Sequence, residues 1–427
     1  MDIARNHTAA HAALPVSPIP SVQTRPRGLF GALLLAFVLA CVFDPADQVL
    51  GVKVWLFVAF TVVGLLGGMA DRDKFRVPPG LIIYVALFIA IPLLSVVVFK
   101  FTNAISRDEG FNLLKGYVLI AMALVLAGRR FDLLPMLSWV LLLLALIILS
   151  CALAVAISPG LFSVLYDFGQ KTGMLSVDER FYSTNFSLQQ IYFVTSPMLV
   201  MSIAYNFSRA REATSVHARR TFYVLMIVSM AAMGFAGTRN NILVAFLLPL
   251  ALFSLQSGNK FLTTTIGALF AVGLAYTFQT ELILLLNPEE VSNSTKLALL
   301  DDYWEMFGDP KTFLLGQGLG VYQYWYAKGR FDFITELTYF EMVRNFGIFG
   351  AAVLGVLLVT PIRMAFRGAT SLQDRAAVLA FAFYLLMCIS NPNLYSSMGI
   401  LVLAVLVSKL FGDSYWREFA DARGIRV

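Results

Sequence analysis

The chain has 427 residues, of which 59% are hydrophobic and only 14% charged, against roughly 25% charged in an ordinary soluble domain. That balance excludes a soluble globular protein, 36 Phe and 16 Tyr exclude a disordered chain, and three Cys exclude a disulfide scaffold. The formal charge of +6 is spread in small clusters between apolar runs, so it reads as membrane topology and not as a nucleic-acid surface.

Residues 1–27 are polar, contain proline and lack an apolar signal region, which predicts a disordered cytoplasmic tail that is not cleaved. Apolar runs then recur at about 28–43, 52–70, 80–99, 112–127, 133–157, 187–206, 221–236, 241–256, 261–279, 338–362, 377–390 and 396–411. They predict an all-α polytopic membrane protein with about twelve transmembrane helices over 28–411 and a cytoplasmic tail at 412–427. With the N-terminus inside, the clusters Arg72/Lys74/Arg76, Arg129/Arg130, Arg209/Arg211/Arg219/Arg220 and Arg363/Arg367/Arg375 all fall on the cytoplasmic side. The positive-inside rule then favours an even number of spans with both termini cytoplasmic. Cys41, Cys151 and Cys388 lie within apolar runs and read as small packing residues.

Two external segments stand out. The first, 158–186, carries Arg180. The second, 280–337, lies between the ninth and tenth spans and is the only long amphiphilic stretch, with Trp304, Tyr322, Tyr324, Trp325 and Tyr326 among Asp301, Asp302, Glu305, Asp309 and Asp332. Two readings of it stand side by side. Aromatic planes with interspersed carboxylates suit carbohydrate, whose ring faces stack and whose hydroxyls need fixed acceptors; the same residues also suit a membrane-interface aromatic belt with a solvated acidic face.

The sequence has no phosphate-cradling loop, no dinucleotide fingerprint and no His/Cys metal spacing, and His7, His11 and His217 fall on the predicted cytoplasmic tail and loop. No metal and no cofactor are expected. The candidates are charged residues at the external boundary, where an ionisable group needs a partner or a wet cavity. Arg239 sits in the tight turn Gly237-Thr238-Arg239-Asn240-Asn241, placed either to grip phosphate oxygens in bidentate fashion or to snorkel to headgroups. Glu336 opens the tenth span. At about 100° per residue it shares a helical face with Tyr339, Phe340, Val343, Gly347 and Gly350. That face is a packing seam with a dipole-favoured Glu, or it carries a carboxylate able to accept a proton. Glu341 and Arg344, three apart, form a pair, unless Arg344 holds an anionic ligand. Gly316-Gln317-Gly318-Leu319-Gly320 reads as a turn where chain or glycan approaches closely.

The sequence Leu314-Leu315-Gly316-Gln317-Gly318-Leu319-Gly320, followed by the spacing of Glu336, Tyr339, Gly347 and Gly350, resembles the O-antigen polymerase and O-antigen ligase superfamily of bacterial surface polysaccharide synthesis. The resemblance covers about residues 176–395 and includes Arg180 through Asn185, Gly237-Thr238-Arg239 and Asn391-Pro392. Ligases typically carry His where this chain has Glu336, which favours the polymerase branch. The resemblance implies a GT-C-like glycosyltransferase architecture in the bacterial inner membrane, polymerising undecaprenyl-pyrophosphate-linked oligosaccharide repeat units at the periplasmic face without a metal. It further implies Glu336 as the base for the acceptor hydroxyl, Arg180 and Arg239 on the leaving pyrophosphate, and Tyr339 and Arg344 as further substrate contacts. The implied partners are lipid-linked oligosaccharides, the bilayer, a chain-length-regulating membrane protein and a flippase, with no nucleic acid. Ligase-type transfer to another acceptor and a flippase or transporter remain as alternatives. A transporter usually shows two similar halves, and the two long segments here do not occupy corresponding positions.

Overall fold

The computed structural model describes residues 28–422 apart from positions 46, 48, 71–74, 102–106, 184–185, 237, 257–264, 266, 270–271, 274–275, 277–290 and 368–369; the side chains of some further residues, Arg180 and Arg239 among them, are outside that description. The predicted tail 1–27, most of the predicted span 261–279 and the start of the long loop lie outside the described residues.

The first third is a run of apolar helices: α1 (Gly28–Phe43), α2 (Lys53–Ala70), α3 (Pro79–Phe101), α4 (Arg107–Val118) leading through a 3₁₀ turn into α5 (Met122–Gly128), and α6 (Leu134–Ile157). Proline in the first turn of α6, where the backbone N–H has no helical partner anyway, fits its start. A short helix, α7 (Leu161–Thr172), precedes an antiparallel hairpin of β1 (Leu175–Ser183) and β2 (Phe186–Phe193), in which Arg180 pairs with Leu188. Then come α8 (Leu199–Glu212), α9 (Val216–Phe235), capped by the Ser215 hydroxyl, and α10 (Arg239–Gln256). The long loop holds α11 (Val291–Phe307), α12 (Pro310–Leu315) and a small hairpin of β3 (Gln323–Trp325) and β4 (Arg330–Asp332). The chain closes with α13 (Thr338–Arg367), α14 (Leu372–Met387), begun by a Ser371/Asp374 capping box, and α15 (Ser397–Ala422).

Six segments among the described residues are long and apolar enough to cross a bilayer: Pro79–Val97, Glu109–Gly128, Leu134–Ile157, Thr338–Arg367, Leu372–Ser390 and Ser397–Glu418. Three shorter apolar helices, Gly28–Phe43, Lys53–Gly68 and Asn240–Gln256, accompany them. The chain is thus a mostly helical, multi-pass membrane protein. Its exposed surface carries Leu66, Ile83, Leu94, Leu153, Phe349 and Val356, a liability in water and the expected covering in lipid.

The bundle has two distinguishable ends. At one, which we call the loop end, the Ser95 hydroxyl near the C-terminus of α3 donates to the Asn345 carbonyl near the N-terminus of α13 and accepts from the Leu319 backbone, each at 2.8 Å. At the opposite end, Lys409 of α15 meets Asp132 before α6 and Asp374 in the first turn of α14.

Several predicted boundaries shift. The predicted span 187–206 is not one helix: its first residues form β2, and the helix starts only at Leu199. Hydropathy cannot tell a short buried strand from a helix, and Ser187, Gln189 and Gln190 interleave there with Leu188 and Ile191. The predicted tail 412–427 begins inside α15, which continues to Ala422. Glu336 precedes α13 by two residues, and the shared helical face read from Glu336 to Gly350 is interrupted, because Gly347 adopts φ +67°, ψ 172° within α13.

Candidate functional site

At the loop end the sequence places one carboxylate and one guanidinium three residues apart on α13, and the fold buries both. Arg344 is fully buried, and Glu341 is nearly so. The Arg344 guanidinium donates to the Glu341 carboxylate, to the Val321 carbonyl (3.0 Å) and to the Phe333 carbonyl (2.6 Å), and it lies 5.5 Å from the Trp325 ring centroid. Glu341 in turn accepts from the Tyr303 hydroxyl (2.8 Å), the Thr335 hydroxyl (3.3 Å) and the Asn345 amide (3.1 Å). One ion pair therefore ties α13 to α11 and to both sides of the β3–β4 hairpin, with all three guanidinium nitrogens and both carboxylate oxygens hydrogen-bonded. Burial pushes the Tyr303 phenol well above its ordinary pKa, and the Glu341 charge adds to that.

Beside this hub the two glycine motifs meet. The Gln317 N–H donates to the Arg344 carbonyl at 2.6 Å. A Cβ on Gly316 would come within 3.0 Å of the Gly347 nitrogen and the Asn345 carbonyl, and one on Gly347 would collide with the backbone of Leu314 and Leu315. Both residues have positive φ, so glycine serves here for conformation and for clearance together.

Under the loop lies a cavity of about 640 Å³. One wall is α4, which presents Glu109, Asn112 and Gly116 at spacings of one helical face; the facing wall is α13, with Thr338, Glu341 and Asn345 at the same spacings. Tyr395, stacked on Tyr117 with centroids 4.8 Å apart, adds an aromatic surface. The polar groups divide into committed and open ones. Lys53 donates to the Asp44 and Pro45 carbonyls and to the Ser397 hydroxyl. Glu341 is saturated as described. Lys115 donates to the Asn112 Oδ1 at 2.8 Å, which leaves the Asn112 amide as an outward donor. The Asn345 amide faces the Glu341 carboxylate, which can only accept, so its buried Oδ1 is turned elsewhere and has no partner among the described residues. A lining of amides, hydroxyls and a carboxylate beside aromatic rings is chemically suited to a polyhydroxylated ligand.

The sequence-predicted residues distribute around this site unevenly. Glu336 stands on the rim, between Thr335 and Thr338 of the lining; its side chain is about half exposed, at 53%, and pairs with Lys296 at 3.8 Å. Arg344 forms the expected pair with Glu341, and with its donors so engaged it holds the loop instead of facing the cavity. The Tyr339 hydroxyl donates to the Leu385 carbonyl at 2.7 Å, bracing α13 against α14. Arg239 begins α10, whose next residues contact neighbouring elements: Asn240 donates to the Ser390 hydroxyl (2.7 Å) and Asn241 to the Ser196 hydroxyl (3.3 Å). The Asn391-Pro392 element also joins this end. Thr338 donates to the Asn391 carbonyl (2.6 Å), and Asn393 donates to the Tyr192 hydroxyl of β2 (3.1 Å). Burial pushes the Tyr192 phenol up to about 12, with the Asn393 hydrogen bond opposing and the nearby Cys388 and Glu336 adding to it. The starts of α10 and α13, the hairpin base and Asn391-Pro392 thus converge. Arg180 lies four residue pairs further along the hairpin, about 13 Å at ordinary strand rise.

Glu109, Asn112, Lys115 and Asn345 were not singled out from the sequence. The available signal was a polar face, Glu109/Asn112/Gly116, on the approach to an apolar run; a hydropathy window that starts the span at 112 discards it. Compared with the profiles of known protein families and with curated proteins, the sequence matches none of them.

Proposed function

We propose that this protein is a membrane glycosyltransferase, a polysaccharide polymerase that joins lipid-linked oligosaccharide repeat units at the loop end of its bundle. The proposed setting is a bacterial inner membrane with that end periplasmic, a placement the positive-inside rule supports because the basic clusters of Arg129/Arg130, Arg209/Arg211 and Arg363/Arg367 lie toward the other end of their helices. The observation that carries the reading is the cavity of about 640 Å³ beneath the amphiphilic loop. It has room for several sugar rings, and its carboxylate, amides, hydroxyls and stacked tyrosines are the groups that hydroxylated rings require. It also sits at a bundle end, whereas transporter sites typically lie near the bilayer midplane. The motif order shared with the O-antigen polymerase and ligase superfamily supports the same reading, and Glu336 in place of His favours the polymerase branch.

In this reaction the acceptor hydroxyl oxygen bonds to the anomeric carbon of the donor as the bond from that carbon to pyrophosphate breaks. The configuration inverts, the hydroxyl proton passes to Glu336, and undecaprenyl pyrophosphate leaves. Arg180 and Arg239 stabilise the charge that develops on it, so that no divalent ion is required. Tyr339 and Arg344 contribute by holding α13 and the loop in register.

The test is reaction of the purified protein in nanodiscs with a lipid-linked repeat unit. A ladder of lengthening products supports polymerisation. A single transfer to a different acceptor would point to a ligase, and passage of unchanged substrate across proteoliposomes to a flippase; either result rejects the polymerase reading.

A further inference from the structure

α6 has 24 residues, about 36 Å at the helical rise, slightly more than the roughly 30 Å hydrocarbon core. Its outer surface, Leu143, Leu146, Leu153 and Ile157, is exposed up to its last residue, Ile157 being 74% accessible. The chain therefore reaches the edge of the hydrocarbon at Ile157 and turns at Ser158-Pro159-Gly160 directly into α7. At that depth α7 divides into three sectors. Phe162, Leu165, Gly169 and Thr172 face the protein. Gly169 packs so closely on the Leu175 backbone that no Cβ would fit. Leu161, Val164 and Phe168, at one-face spacing, are exposed, while Ser163, Asp167, Gln170 and Lys171 make up a polar sector bordered on its far side by the exposed Tyr166.

We propose that α7 is an in-plane membrane anchor, with Leu161, Val164 and Phe168 inserted among the lipid chains of the loop-end leaflet and Lys171 reaching up to the phosphates. The occupant of this stripe is the bilayer, because the stripe follows the lipid-facing surface of α6 after a turn of only three residues. Lys171 borders Val164 on the helical wheel, where a long cationic side chain can lay its methylenes on the apolar surface and its ammonium at the headgroups. A consequence follows for the cavity. Gly173, which links α7 to β1, and Val194, which links β2 to the bundle, form part of its lining, so the anchor fixes one cavity wall at headgroup height. An amphiphile whose head enters the cavity could keep its chain in the membrane.

The experiment uses the full chain in phosphatidylcholine proteoliposomes, with an environment-sensitive fluorophore on Val164→Cys, Phe168→Cys or Gln170→Cys. Signal from the labelled unsubstituted chain is subtracted as background for Cys41, Cys151 and Cys388. The lipids carry a nitroxide either near the headgroup or near the chain end. Val164→Cys and Phe168→Cys should be quenched more strongly by the shallow nitroxide than by the deep one and be shielded from aqueous cobalt, whereas Gln170→Cys should be quenched by cobalt. Cobalt quenching at all three positions would place the stripe in water. Stronger quenching of 164 and 168 by the deep nitroxide would mean that the segment spans, and protection that appears only as protein density rises would mean a second copy covers it. Each of these three results overturns the anchor.

Discussion

Both ends of the bundle bury charge around a cavity, and they do so to different effect. At the end opposite the loop, Lys409 donates to Asp132 at 2.7 Å and forms an ion pair with Asp374 at 3.1 Å, while Asp132 also caps the Leu134 N–H and Asp374 takes the Ser371 hydroxyl. The network staples α15 to the starts of α6 and α14 beside a space of about 340 Å³. At the loop end the Glu341/Arg344 pair is equally committed, but the neighbouring cavity is nearly twice as large and is lined by the Glu109 carboxylate and the Asn112 and Asn345 amides. A network that staples helices together is worth stability. Polar groups that line a larger cavity beside such a network are worth binding or chemistry, because the rigid neighbour holds them in place.

The largest expected effect breaks that comparison at its functional end. If Glu336 is the base, Glu336→Gln should lose about 10²- to 10⁴-fold in turnover of the lipid-linked repeat with thermal stability within about 0.5 kcal/mol of wild type, as befits a half-exposed site. Glu109→Gln in the same assay sharpens the assignment: as a binding group it should raise KM and leave kcat near wild type. A fall in kcat for Glu109→Gln alone, with Glu336→Gln fully active, would move the base to Glu109.

Next come the two buried pairs, where removing one partner typically costs about 3–5 kcal/mol. Lys409→Met should lower stability in detergent by that order while activity per folded molecule stays unchanged. Arg344→Met should lower stability similarly but also reduce activity per folded molecule, because the loop loses its hold over the cavity. Equal activity per folded molecule in both variants would show that the two ends are alike after all.

A smaller loss is expected from Gly347→Ala. At φ +67°, ψ 172° the backbone is in a region essentially reserved for glycine, which costs a residue with a Cβ about 1–3 kcal/mol, and here the added carbon also collides with the Leu314 carbonyl. The expected result is a lowered melting temperature together with faster proteolysis of 308–330. Gly355→Ala, with open space around its α-carbon, is the control and should be neutral or slightly stabilising.

What the sequence made legible was whatever depends on consecutive residues. Hydropathy located the apolar helices, and a spacing of three located the Glu341/Arg344 pair. The hairpin was missed because an apolar run with polar residues interleaved carries no unambiguous period. The glycine at 347 was read as part of a helical face, although its partner, the turn at Gly316, is brought to it only by tertiary folding. Glu109 was passed over for the same reason: its meaning depends on α13 standing opposite α4, which no local pattern reports. Glu336 stands out as an ionisable residue at the start of a span, but its exposure and its pairing with Lys296 are not visible from helix periodicity.

The smallest effect concerns pH and the hairpin over the cavity. Asp332 takes the Lys328 ammonium (3.1 Å), the Arg330 guanidinium (3.3 Å) and the N–H groups of Phe333 and Ile334, while its carbonyl accepts from the Trp325 indole (3.1 Å). Partial burial works against its charge, but Lys328, the Ile334 N–H and Arg330 outweigh it and hold the carboxyl below its ordinary value. A carboxylate depressed in the folded state stabilises fully above its unfolded pKa, about 3.9, and loses that contribution as pH falls through the lower folded value. Between pH 5 and 8, well above about 4, this contact should therefore not change. Below that window the hairpin should loosen and expose Trp325, which is buried at neutral pH. Iodide quenching of the fluorescence difference between wild type and Trp325→Phe measures this directly, and Asp332→Asn should show the acid-like accessibility already at neutral pH. If the wild-type hairpin instead opens near pH 6 to 7, the titrating group is not Asp332, and an ionisable group with a raised pKa must link the hairpin to the cavity.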